Sequence, residues 1–264
     1  MHRPAFGVCQ TLYPGQWRAG WRWIPANSGL MRPARPGCRV EAVPTATATA
    51  FRGWPPEALE FLRDLEANND RDWFKANRGR YDDYLVAPAR ALGEDLSDLG
   101  RPHMFRPWNN TRFRPGPPLK EHLGLAIGYE GAGGFYVDLS LDGLLVAGGL
   151  HMPAPDQLDR LRQAIDSPRK AADLTRALGT AADAGLSLNE PDLKRAPRGY
   201  PQDHPRLDLL RRRRMTVAVR HPLKKWLHRP EAGARIREEL EAVRPLVEWL
   251  RKHVGPSQQA RRPA

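Results

Sequence analysis

Cysteine is almost absent from this sequence. Cys9 and Cys38 are the only two, and neither stands in a C-x-x-C pair. The chain after residue 38 has no disulfide and no thiolate metal site to offer, which suits a reducing, cytoplasmic setting. Long apolar runs are missing too. No stretch approaches the ~20 residues that a membrane helix needs, so no membrane partner is expected. Residues 1–30 scatter Arg3, Arg18 and Arg22 among Pro4, Pro14 and Pro25, without the continuous apolar core of a secretory signal. The sequence also lacks G-x-x-x-x-G-K-[ST], H-E-x-x-H and G-x-S-x-G, and with them the phosphate loop, the zinc-protease helix and the nucleophile elbow. It names no reaction and no cofactor.

What is present is ordinary in amount and uneven in placement. A chain of 264 residues, 41% apolar and 27% charged, can bury one large core or two small ones and is not disordered throughout. The net charge is +12, of which residues 1–50 supply +5. Residues 192–229 alone hold twelve Lys/Arg against three Asp, so the rest of the domain is slightly acidic. Concentrated basicity points to an anionic partner, a small molecule or nucleic acid, without saying which.

Residues 1–49 show no sustained period, are rich in Pro, Gly and Arg, and end in VPTATATA; they read as a disordered or mis-annotated leader, with Met31 as an alternative start. Order is expected from residue 50 to 254, with 255–264 a disordered tail. Pro55-Pro56 opens a helix on which Leu59, Leu62 and Leu65 recur until Asn68-Asn69 stops it, and Asp70 caps the next. After Gly100 the period changes to two. Residues 122–129, 134–141 and 144–151 read as strands, with Asp142-Gly143 as a type I′ hairpin turn. Helices return at 156–165 and 168–178. Residues 204–214 read as a helix ending in four arginines, Met215, Val217 and Val219 as a strand, and Ile236 to Leu250 as a last helix interrupted or restarted at Pro245. The fold class is α+β, an antiparallel sheet with a central hairpin flanked by N-terminal and C-terminal helices, in one domain.

Three blocks carry a resemblance: FRGWPPEALEFLRDLEANNDRDWFKANRGRYDDYLVAPARAL, GGFYVDLSLDGLLVAGGLHMPAPDQLDRLRQAID and LKRAPRGYPQDHPRLDLLRRRRMTV. In this order they resemble the domain of unknown function 2461 family, uncharacterised and mainly bacterial cytoplasmic proteins, over about residues 51–228. The resemblance implies an α+β domain and no established activity, cofactor or substrate. The chain departs from it in FRPWNNTRFRPGPPLKEHLGLAIG, residues 105–128. There Asn109-Asn110 takes an Arg-Asp place, RPGP replaces a Lys-Asp-Lys cluster, and Pro118-Leu119-Lys120 stands for Pro-Tyr-Lys. Both carboxylates of that loop are gone, which disfavours a carboxylate base or metal ligand there.

The candidate binding residues are Arg112, Lys120 and Arg198, with His122 and His204 beside them. Arg presents a planar fork to carboxylate or phosphate and Lys a point charge, so together they can hold an anion; equally, they can pair with acidic residues on nearby helices. His122, His151 and His204 admit a metal reading and the commoner one of ordinary hydrogen bonds; no metal is expected. Arg211–Arg214 read as solvated cations at a helix C-terminus. Three functions stay open: a cytoplasmic domain binding an anionic ligand through basic loops, a divergent or inactive enzyme for a phosphorylated or acidic substrate, and an interaction scaffold without a small-molecule site.

Overall fold

The computed structural model of the chain describes residues 50–111, 116–129 and 131–258. The leader 1–49, the candidate Arg112 and the last residues 259–264 lie outside the described residues. The first helix, α1 (Pro56–Ala67), starts on a proline whose missing N–H costs nothing in a first turn. It buries Ala58, Leu59, Phe61, Leu62 and Leu65 on one face and ends at Asn68. Asp70 then caps α2 (Arg71–Ala76) by accepting the N–H groups of Asp72 and Trp73 at 2.9 and 2.8 Å. A further helix, α3 (Arg78–Tyr81), continues through a π turn (Asp82–Val86) into α4 (Ala87–Asp95). The π turn directly precedes Pro88, whose ring nitrogen cannot close the usual i→i−4 bond.

Six strands follow in the order β1 (Pro102–Met104), β2 (His122–Ile127), β3 (Gly134–Ser140), β4 (Gly143–Leu150), β5 (Ser187–Leu188) and β6 (Met215–His221). They form one sheet, β1-β2-β3-β4-β6-β5, with every pairing antiparallel. Between β4 and β5 come α5 (Pro155–Asp166) and α6 (Pro168–Asp183); α7 (Leu207–Leu210) precedes β6, and α8 (Glu231–His253) closes the domain. The α+β class is as the sequence implies.

Alternation along the strands sorts the residues onto two faces. Leu123, Leu125 and Ile127 of β2, Phe135, Val137 and Leu139 of β3, and Leu144 and Val146 of β4 are buried on one. Each such side chain contributes about 1.5–3 kcal/mol when taken from water. Both α4 and α8 lie against this face: Gly93 meets Leu125 there, and Gly148 lets Val243 of α8 come so near that a Cβ on residue 148 would stand 2.5 Å from it. The other face carries His122, Gly124 and Ala126, then Tyr136, Asp138 and Ser140, then Leu145, Ala147, Ala218 and Arg220. Gly124, Ala126 and Asp138 are buried on it, Tyr136, Leu145, Ala147 and Ala218 are half-buried and Arg220 is exposed.

Four local expectations need correction. The hairpin turns on Leu141-Asp142, and Gly143 is already the first residue of β4, paired with Ser140. Two features demand glycine there: its φ is +126°, and a Cβ would meet the His221 carbonyl oxygen of β6 at 2.2 Å. The helix read over 204–214 shrinks to α7, and the chain beyond it is held instead by the buried Arg212 guanidinium, which donates to the carbonyls of Asn189 and Asp208. Arg211–Arg214 are thus not a fan of solvated cations. Residues 231–253 form one helix through Pro245, with the residues on either side of it, Val243, Leu246 and Val247, buried in the core. Finally, residues 255–258 are not a free tail: Asp156 in the first turn of α5 accepts from the Ser257 hydroxyl and the Gln258 N–H, both at 2.8 Å. The Gln258 N–H, with Ser257 and Arg160, holds the Asp156 carboxyl down at about 2.

Candidate functional site

The loop between β1 and β2 is built from its stems. Asn109 N–H donates to Pro118 O at 2.8 Å and Lys120 N–H to Pro107 O at 2.7 Å, around a bridge between Trp108 and Leu119. The Asn109 side chain also donates to the carbonyls of Pro117 and Leu119. From α1's far end, Asn69 accepts the Leu119 N–H and donates to the Leu119 carbonyl and to Glu121. Asn109 and Asn69 therefore hold the loop in shape. Trp108 adds an edge contact to buried Phe74, with ring centroids 5.5 Å apart.

These stems set a row of side chains along the open face of the sheet. Lys120 Nζ donates to the Arg106 carbonyl at 3.0 Å and lies 5.5 Å from the centre of the Phe105 ring. The Phe105 ring meets Tyr136 edge-on at 6.1 Å. The Tyr136 hydroxyl donates to Asp138 Oδ2 at 3.1 Å, and His122 Nε2 stands 3.6 Å from that same oxygen. Gly124, paired with Asp138 across the strands, makes this possible: a Cβ there would lie 2.5 Å from the Tyr136 hydroxyl oxygen. The glycine opens the floor on which the phenol bends over to the carboxylate.

The electrostatics of the row are unusual for a surface. Burial raises the Asp138 pKa above the ordinary carboxylate value, with His122, the Tyr136 hydroxyl and Arg220 pulling the other way. Burial, then the neighbouring Asp138 charge, raises the Tyr136 phenol. Burial and then the Arg106 charge lower the Lys120 ammonium. Neither Lys120 nor Arg106 has a carboxylate partner among the described residues.

Of the residues singled out in the sequence, Lys120 and His122 come together here. Arg198 and His204 do not join them. Their loop leaves β5 beside the start of β6, where Asn189 N–H bonds Thr216 O, at the Met215–Leu150 end of the sheet. Lys120 precedes His122, which pairs with Ser140 at the opposite end. The eight residues of β4 alone separate those ends by about 23 Å at ~3.3 Å per residue. The antiparallel topology thus splits the basic loops into two groups.

His204 is committed to structure. Its Nδ1 accepts the Arg206 N–H and its Nε2 faces Asp166 Oδ1, both at 3.0 Å, with the side chain 8% exposed. Arg206 beside it donates to the carbonyls of Ile165 and Asp166, closing the C-terminus of α5. Arg198 is exposed. No group of three His, Cys, Asp or Glu among the described residues is placed to hold a metal. Sequence reasoning missed Tyr136, Asp138, Phe105 and Arg106. The signal was there: in FYVDLS, Tyr136 and Asp138 share the face that Phe135, Val137 and Leu139 leave.

A family model described as Conserved hypothetical protein (DUF2461) matches residues 57–249, from the first helix to the last. The chain belongs to the DUF2461 family. No curated protein and no solved structure matches it. The DUF2461 match spans both the sheet face and the loop carrying Arg198 and His204, so it does not choose between the two ends. No helix among the described residues is long and apolar enough to cross a membrane.

Proposed function

We propose that this DUF2461 protein binds a small anionic ligand on the open face of its sheet, at the end formed by Lys120, Arg106, Phe105 and His122. One observation carries the reading: the Lys120 ammonium, fixed on the Arg106 carbonyl and against the Phe105 ring, has no carboxylate partner among the described residues. Burial and the Arg106 charge both work against the Lys120 ammonium, and an anion bound to it offsets both. Phe105, 37% exposed, lies directly against Lys120 and gives a planar group of the ligand a surface to stack on. Asp138, in the middle of the face, opposes a continuous phosphate backbone, so a small molecule is favoured over nucleic acid. The cytoplasm is the compartment we propose, since the domain after Cys38 carries no thiol to oxidise.

One feature favours a second reading, an enzyme acting on an acidic substrate. Asp138, its pKa raised by burial and its carboxylate set beside His122 and Tyr136, has the surroundings of a group that takes up and releases a proton.

The binding reading is tested by calorimetric titration with adenosine 5′-monophosphate and with inorganic phosphate. Lys120→Ala is expected to weaken both by roughly tenfold, the loss of one charge-assisted hydrogen bond. Phe105→Ala is expected to weaken the nucleotide alone, and Arg198→Ala neither. Binding that ignores Lys120→Ala, or that responds to Arg198→Ala instead, would refute this site; tighter binding of a single-stranded oligonucleotide than of the nucleotide would refute the small-molecule class.

A further inference from the structure

We infer that a second anion site lies at the opposite end of the sheet, in the open cleft between the start of α5 and the turn that enters β6. The cleft has a volume of about 740 Å³, within the ~300–1,000 Å³ usual for small-molecule sites. Met152, Pro153 and Leu158 give it an apolar lining, and Arg162, Arg213 and Arg214 a basic one. It takes a phosphate or carboxylate carried on an apolar body.

The charges around the cleft do not balance. Asp192 is the one carboxylate lining it, and that group is already engaged: it accepts the Arg213 N–H at 2.7 Å and pairs with the Arg214 guanidinium at 3.1 Å. Burial acts against its charge, but these donors outweigh burial and keep its pKa below the ordinary value. The Arg213 side chain is exposed and has no ion-pair partner among the described residues. Arg162 supplies the independent sign. Its Nε is buried and has no hydrogen-bond acceptor. A buried donor left unpaired is costly, and no described residue offsets that cost.

The apolar wall fixes the ligand class. Met152 is 76% exposed, although the strand before it and the helix after it are well packed, and it stands over the cleft with Pro153 and Leu158. A bare inorganic ion would leave this wall wet, whereas an apolar group seated on it removes that area from water. The same end of the domain carries Tyr200, whose phenol is raised by burial and then by Asp166, while Arg162 pulls it down.

The test uses phenyl phosphate as probe, titrated into the full chain carrying Lys120→Ala so that the sheet face contributes about tenfold less. Phenyl phosphate is expected to bind at least about tenfold more tightly than inorganic phosphate, through the phenyl group on the apolar wall. Adding Arg213→Ala is expected to weaken it by roughly tenfold, and Met152→Asp, which puts a carboxylate at the mouth of the cleft, to abolish it. Both residues are exposed, so each variant should keep the parent's melting temperature. No saturable binding in the Lys120→Ala protein, or binding indifferent to both added changes, would overturn the site. Equal affinity for phenyl phosphate and inorganic phosphate would overturn the ligand class. Failure of the sheet-face site leaves this result untouched, because the two titrations depend on different residues.

Discussion

Replacing Gly124 with alanine tests how the open face is assembled. The backbone at 124 has no positive φ, so the substitution adds no conformational strain; its whole effect is the new methyl group. That Cβ would stand 2.5 Å from the Tyr136 hydroxyl oxygen, against at least 3.4 Å for ordinary contact, so the phenol must lift by about 0.9 Å. The 3.1 Å hydrogen bond to Asp138 then stretches or breaks. A hydrogen bond to a charged group contributes about 1.5–3 kcal/mol, while exchanging glycine for alanine in a strand returns roughly 0.5–1 kcal/mol. The net expectation is a loss of about 1–2 kcal/mol in urea unfolding. The phenol itself gives the second readout. Lifted away from Asp138 and toward water, Tyr136 should ionise at lower pH than in the parent, visible as an ultraviolet difference between Gly124→Ala and wild type. Unchanged stability together with unchanged tyrosine ionisation would show that the phenol does not lie over Gly124, and the arrangement of Tyr136, Asp138 and His122 would fail.

Three further outcomes follow from the same geometry. Gly143→Val should cost at least about 1–3 kcal/mol in a denaturant titration, from its positive φ alone, with the collision against the His221 carbonyl adding to it; a neutral result would refute the register of β4 against β6. Asp138→Asn should raise the melting temperature at pH 7: the native carboxyl, with its pKa above 3.8, binds its proton more tightly than the unfolded chain does, so wild-type stability falls as pH rises through that window. The advantage of the variant should vanish as pH drops toward 4; a variant less stable at pH 7 than at pH 4 relative to wild type would mean that the His122 pairing dominates. His204→Ala should destabilise by about 1–3 kcal/mol through the lost bonds to Asp166 and Arg206 without altering phosphate affinity; an affinity change with intact stability would return His204 to a binding role.

The elements legible in the sequence were those whose burial is one-sided. Phe135, Val137 and Leu139 face the helices while their neighbours do not, and that alternation writes β3 into the sequence. With three and two residues, β1 and β5 are too short to carry a period. The run Arg211–Arg214 looked like a helix end because charge alone cannot reveal that Arg212 is buried and bonded to Asn189 and Asp208. Pro245 suggested a break, but the apolar contacts of Val243, Leu246 and Val247 outweigh one missing hydrogen bond. For the site, Lys120 and His122 stood out as basic residues at a strand entrance. Tyr136 and Asp138 stand in the polar half of an alternation whose signal lies in its apolar half. The separation of Arg198 from Lys120 depends on which end of an antiparallel sheet each loop reaches, and pairing order is not written in any local stretch of the chain.

The central claim, an anion held beside Phe105 and Lys120 on the open face of the sheet, is tested most directly by following the backbone amides in a ¹⁵N–¹H spectrum while adenosine 5′-monophosphate is added. The account predicts saturable shifts at Phe105, Arg106, Lys120, His122 and Tyr136, with the amides of Arg198 to Arg206 unmoved. Shifts confined to residues 198–206, or none that saturate around Lys120, would contradict it.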